Sequence, residues 1–163
     1  MKTLLIMRHA KSSWDNAGLS DFERPLNKRG LAAAPLMGDF IRTEHLQPAL
    51  IISSPAARAR QTALIVQNSA QIKSEIIFDD RIYEAGPGRL LDVIGEQENT
   101  ADSILLIGHN PGLEGLIRIL TGDLQPMPTA ALAVIDLENV NWNDIKTSTG
   151  SLRMLIRPKE IRE

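Results

Sequence analysis

The chain has 163 residues, 43% of them hydrophobic, with a formal net charge of −2 and no cysteine. This is the size of one ordinary globular domain, spanning residues 1–163 and able to bury most of its apolar surface. The balance of charge argues against a general nucleic-acid binder, and no run of about 18 apolar residues offers a membrane span. Without cysteine there can be no disulfide, thiolate nucleophile or cysteine metal site. His9, His45 and His109 lack the paired spacing of a zinc helix, so no metal is expected. The first strand begins directly after Met1-Lys2-Thr3, so no signal peptide is expected and a cytoplasmic location is the default.

Leu4-Leu5-Ile6-Met7 is an unbroken apolar run, the pattern of a strand buried on both faces in a parallel sheet. It ends in Arg8-His9, and the carboxyl ends of strands are where open α/β sheets bind ligands. Residues 11–26 are polar and predict a long loop over that edge, with room for a short helical turn. Loops of this length inside a domain are usually functional. Asn27 is placed to cap a helix over 28–44 that buries Leu31, Met37, Phe40 and Ile41, and Pro35 should kink it or delay its start. Ala49 to Ser53 reads as the second strand. Ser54 and Pro55 then look like an N-cap and first helical residue, with the helix reaching about Gln71. Glu75 to Phe78 predicts a short third strand, followed by a loop holding Tyr83, Glu84, Gly86, Pro87 and Gly88, then a helix over 89–97. Ser103 to Ile107 is another apolar strand. Asn110 as cap and Pro111 as first residue repeat the earlier helix start, here for a helix to about Leu120. Thr129 to Leu137 and Leu152 to Ile156 are late strands, joined by a polar linker as in a hairpin with a long loop. Strand and helix alternate through most of the length. That is the α/β class, a three-layer sandwich with a mostly parallel central sheet flanked by helices.

Three of these strands deliver chemistry to one edge. Arg8-His9 closes the first, Arg58 lies in the first helical turn after the second, and His109 follows the fourth. Parallel strands share a carboxyl edge, so the four side chains can converge. The helices beginning near Pro55 and Pro111 point their N-termini there as well. Two guanidiniums, two imidazoles and two helix N-termini make an anion site, and a phosphoryl group suits it because guanidinium forks match its oxygens. A cation in a helix's first turn opposes the macrodipole, so something else should hold Arg58 in place. Other routes fail on residue types: a cysteine phosphatase has no cysteine here, and an aspartate phosphatase needs an Asp where Arg8-His9 stands. No Gly-x-x-x-x-Gly-Lys-Ser/Thr loop is present.

Arg8-His9, Ser54-Pro55-x-x-Arg58 with its trailing Ala59-Arg60-Gln61-Thr62-Ala63, and Gly108-His109-Asn110-Pro111 resemble the histidine phosphatase (phosphoglycerate mutase-like) superfamily. Arg24-Pro25-Leu26, Gly30 and the small size are similar to its compact branch, the SixA-type phosphohistidine phosphatases. The likeness spans residues 4 to about 120, and nothing after them carries a recognisable motif.

The resemblance implies a two-step phosphoryl transfer that needs neither metal nor cofactor. His9 would attack phosphorus through a ring nitrogen, and water would then hydrolyse the phosphohistidine enzyme. Arg8, Arg58 and His109 would hold the phosphoryl oxygens, His109 adding charge if protonated. Glu84 is similar in position to the superfamily's acid, which protonates an ester leaving group. A protonated imidazole leaves as a neutral molecule, so a P–N substrate needs that acid less. Ser12 matches a serine that contacts phosphate in the mutase branch, and Asn110 is a second substrate-binding candidate. Ala10 replaces a common glycine, and Asp15 an asparagine; a carboxylate beside phosphate is repulsive, so Asp15 should point away. The implied partner is a phosphohistidine on a signalling or phosphocarrier protein, with small phosphate esters as the alternative. A non-catalytic phosphate-binding module is a rival that the intact His9 argues against. Trp14 is expected to pack on the domain, with lining of the substrate mouth as the alternative, and Lys28-Arg29 to form a solvated helix face, with attraction of an acidic protein partner as the alternative.

Overall fold

The computed structural model describes residues 1–138, 141–147 and 149–161. Strand β1 (Lys2–Arg8) runs through the middle of the sheet, and its side chains alternate between two cores. Leu4 and Ile6 enter one and Leu5 and Met7 the other, because successive strand residues point to opposite faces. Strands β2 (Leu50–Ser53), β3 (Ile76–Phe78) and β4 (Ser103–Gly108) are parallel to it. β5 (Leu132–Leu137) and β6 (Gly150–Ile156) add to its other side in antiparallel fashion, giving the order β3-β2-β4-β1-β5-β6. The sheet is thus mostly parallel, as the apolar strands predict.

Helices α1 (Lys28–Thr43) and α2 (Ala57–Ser69) supply Met37, Ile41, Ala63 and Val66 to the core that holds Leu5, Met7 and Leu105. Helices α3 (Pro87–Gly95) and α4 (Gly112–Thr121) supply Leu90, Ile94, Leu113 and Leu116 to the core of Leu4, Ile6 and Leu106. Each such aliphatic side chain contributes about 1.5–3 kcal/mol by leaving water. A last short helix, α5 (Pro158–Ile161), lays Ile161 against the first of these cores.

Several expected boundaries move, for identifiable reasons. α1 starts at Lys28 and runs through Pro35, so the proline does not delay it. Its buried face is Gly30, Ala34, Met37, Gly38 and Ile41, whereas Leu31 is exposed. The helix sits close to its neighbours through glycine: a side chain at Gly30 would strike the Lys11 carbonyl. α2 starts at Ala57 rather than Pro55, and Ser54 Oγ accepts from the Ala56 N–H at 3.2 Å without capping the helix. α4 starts at Gly112, after a cis Asn110–Pro111 peptide, with Pro111 rather than Asn110 at the cap position. β5 starts at Leu132 and not Thr129, because Ala130 turns back at φ 65 and donates its N–H to the carbonyls of Arg8 and His9. The β5–β6 linker carries a short helical turn, Trp142–Thr147, whose Trp142 is fully buried and donates from Nε1 to the Ala101 carbonyl. Asn139, Val140 and Ser148 of that linker lie outside the described residues.

Candidate active site

The register of the two central strands sets the site. Arg8 of β1 pairs with Gly108 of β4, so His9 and His109 leave the sheet side by side, their ring centroids 5.1 Å apart. Arg58 comes in from the first turn of α2 and donates from Nε to His9 Nε2 at 3.3 Å. Arg8, His9, Arg58 and His109 line one cavity of about 210 Å³ at the carboxyl edge. The four residues that the sequence sends to one edge do meet there.

The hydrogen bonds of His9 settle its protonation. Arg58 Nε carries a proton, so His9 Nε2 must accept. Nδ1 lies 2.7 Å from the Ala10 carbonyl and therefore holds the ring's single proton. Burial, chiefly, pushes the imidazole down to about 3, against the Ala10 carbonyl and with help from His109, Arg58 and Arg8. At neutral pH the ring is an uncharged base with its lone pair on Nε2.

His109 is also pushed down, to about 4, by burial and then by Arg58, with Asp21 opposing. At neutral pH His109 is therefore uncharged, and the condition for its added charge, protonation, is not met. Its Nε2 meets Ser54 Oγ at 2.7 Å, and its Nδ1 is buried without a partner among the described residues. Tyr83 stands edge-on to the His109 ring, centroids 5.5 Å apart.

Asp21 is what holds Arg58 against the helix dipole. It lies in a short helical turn, Asp21–Glu23, within the β1–α1 loop. Arg58 Nη1 donates to its carbonyl at 2.7 Å and Nη2 to its Oδ2 at 3.0 Å. The same carboxylate accepts from the Tyr83 hydroxyl at 2.6 Å and from Arg24 Nη1 at 2.9 Å. The Tyr83 hydroxyl first, and then the two guanidiniums, hold the Asp21 carboxyl below the usual carboxylate range. Arg24, itself buried, also donates to Ser12 Oγ and stacks on Trp14, its guanidinium carbon 3.2 Å from the ring centroid. Arg8 donates from Nη1 to the Met127 carbonyl at 3.1 Å and keeps Nε buried and unpartnered among the described residues.

Residues 4–93 match the histidine phosphatase superfamily (branch 1). The chain belongs to that superfamily. Relatives agree along almost the whole length of this member of the superfamily. The structure of a candidate phosphohistidine phosphatase SixA from Agrobacterium tumefaciens superposes with a TM-score of 0.83 at 30% identity, covering 96% of this chain and 98% of that one. The phosphohistidine phosphatase SixA of Escherichia coli is 28% identical over 149 residues, 85% of this chain and 91% of that protein. A protein histidine phosphatase SixA complexed with tungstate shares the fold at a TM-score of 0.81 and 23% identity, over 98% and 99% of the two chains.

Within this histidine phosphatase the remaining expected residues divide. Ser12 lines the cavity, but its hydroxyl accepts from Arg24. Asn110 lines it too, yet its amide nitrogen donates to Glu114 Oε2 and to the Met127 carbonyl, both at 2.9 Å. It fastens the 123–129 loop to α4 and is no helix cap. Glu84 is exposed, at φ 58, and lines a neighbouring cavity of about 440 Å³ that shares His109 and Asn110 with the first. Asp15 is exposed and away from the cavity lining. Trp14 does not pack on the domain as expected: it is 75% exposed and lines the cavity mouth, because Arg24 offers it a cation to stack on. Sequence reasoning missed Asp21, Arg24, Ser54 and Tyr83 as parts of the site. Arg24 stands within Arg24-Pro25-Leu26, and Asp21, three residues earlier, pairs with it; Ser54 stands within Ser54-Pro55-x-x-Arg58, whereas Tyr83 has no signal of its own.

Proposed function

We propose that this chain is a phosphatase that removes the phosphoryl group from phosphohistidine on a protein, through a covalent phosphohistidine at His9 Nε2. One observation carries the reading: a neutral imidazole, its Nε2 lone pair met only by Arg58 Nε among the described residues, lines a cavity with Arg8, Arg24 and Arg58. Family membership and the SixA relatives support phosphatase chemistry.

In the first step the bond from His9 Nε2 to phosphorus forms as the substrate's P–N bond breaks. The departing imidazole nitrogen takes the electron pair, and because the ring's other nitrogen is already protonated the imidazole leaves as a neutral molecule. Arg58 gives up its contact with Nε2 and turns its N–H to a phosphoryl oxygen, where guanidinium charge stabilises the spread charge of the transition state. In the second step water attacks phosphorus, a P–O bond forms, the His9 bond breaks and the electron pair returns to Nε2. Inorganic phosphate is released.

Small phosphate esters are the second reading, favoured by the adjoining cavity, which Glu84 lines together with His109. Rapid quenching with radiolabelled substrate tests the covalent route. Acid-labile, base-stable label on the wild type and none on His9→Ala is expected. Turnover by an enzyme that never carries label would contradict it. Comparing a phosphohistidine protein with small esters ranks the two substrates, and failure to turn over either would leave a phosphate-binding module.

A further inference from the structure

The phosphate cavity does not stand alone. Lys11 and Thr129 line both it and a second cavity of about 350 Å³, whose other cations are Arg29, Arg157 and Lys159. Arg29, Ala33, Pro158 and Lys159 then line a third, of about 340 Å³, which ends on Ala32 and Leu36. Together they form one groove that runs from the arginine trap across a cationic stretch to an apolar end.

The charge along this groove is largely unneutralised. Lys11, Arg29 and Lys159 are exposed and make no ion pair among the described residues, while Arg157 pairs with Glu160 at 3.1 Å. Lys28 and Arg29 occupy the first turn of α1, which contains no acidic residue. Cations there oppose the helix dipole instead of balancing it, so the positive potential at this end is reinforced. The placement is fixed from below: Gly30 lets α1 lie against the Lys11 backbone, and Ile161 anchors the segment that carries Lys159. Free cations are gathered on one side of the catalytic mouth in a chain whose net charge is −2.

We infer that this groove docks an acidic segment of the phosphoprotein substrate, with an apolar side chain seated against Leu36 and Pro158. The inference rests on the protein-phosphatase reading above and specifies what such a substrate must carry beside its phosphohistidine. A small ester needs neither the second nor the third of these cavities. Only an extended ligand reaches all three, and the cations choose one with carboxylates.

Two phosphohistidine peptides of equal length test this, one flanked by Glu and Asp residues and a distal Leu, the other by Ser and Gly. The wild type is expected to favour the acidic peptide about tenfold or more in kcat/KM, mainly through KM, with the margin shrinking as salt rises. The double variant Arg29→Glu, Lys159→Glu should lose that preference while its affinity for vanadate, which fills only the phosphate cavity, stays unchanged. Equal kcat/KM for the two peptides in the wild type, or a preference that survives the double variant, would overturn the inference. Fluorescence anisotropy of the unphosphorylated acidic peptide separates this from the parent reading. If no phosphohistidine peptide is turned over, binding that the double variant abolishes still supports the groove, and absence of binding refutes it.

Discussion

Arg58 Nε donates to His9 Nε2 at 3.3 Å while the terminal nitrogens of the same guanidinium grip Asp21. One side chain thereby fixes the tautomer of His9, the proposed nucleophile, and is itself fixed from behind. Lysine keeps the charge but has no fork with which to do both. Arg58→Lys should therefore lose about 10²–10³-fold in kcat, nearly as much as Arg58→Ala. Steady-state kinetics check this; a lysine variant within a few-fold of wild type would show that charge alone suffices.

Asp21 has two opposing effects. It orients Arg58, yet it is a carboxylate among the donors that a phosphate needs. Asp21→Ala is expected to bind vanadate several-fold more tightly while kcat falls about tenfold, since the freed guanidinium no longer faces His9. Vanadate inhibition and turnover measured on the same preparation reveal the split. Weaker vanadate binding together with lower kcat would mean that Asp21 merely supports the loop.

His9 and His109 sit at about 3 and about 4, below the ordinary imidazole value of about 6.5. Between those limits the unfolded chain binds more protons than the folded one, so stability present above pH 6.5 declines as pH falls toward 4 and then 3. Each histidine contributes a slope of about 1.4 kcal/mol per pH unit in that window. The urea midpoint should drop between pH 7 and pH 5, and less so in His109→Gln. A flat midpoint would contradict the burial argument. For the same reason kcat/KM on a small ester should show no imidazole limb near pH 6.5.

Glu84 lines the cavity beside the phosphate site and not the phosphate site itself. On the ester reading proposed above, it would serve a leaving group that needs a proton. Glu84→Gln should slow ester hydrolysis about 10²-fold and leave phosphohistidine turnover within about twofold, because imidazole leaves neutral. Equal loss on both substrates would refute this division.

Arg8, His9, Arg58 and His109 were legible in the sequence because each follows or adjoins an apolar strand, and strand direction alone carries them to one edge. The two cores were legible in the same way, through unbroken apolar runs. Asp21 and Tyr83 were not, since their meeting depends on loop paths that leave no periodic trace. Ser54 read as a cap because Ser-Pro is a common helix start, and its pairing with His109 depends on a third strand's position. Leu31 was assigned to the core on hydrophobicity, whereas Gly30 and Gly38 make the contact because only a missing side chain allows the approach. The segment from Met127 to Ala130 lies where the sequence shows no motif, and it is held by the side chains of Arg8, Asn110 and Glu114 and by the Ala130 N–H.

Trp14 and Trp142 are the chain's two tryptophans. The second is sealed in the interior, while the first lies in water beneath Arg24 at the cavity mouth. An oxyanion that draws Arg24 off the Trp14 indole is expected to change the emission of that tryptophan and to leave that of the sealed Trp142, so occupancy would be read without a label.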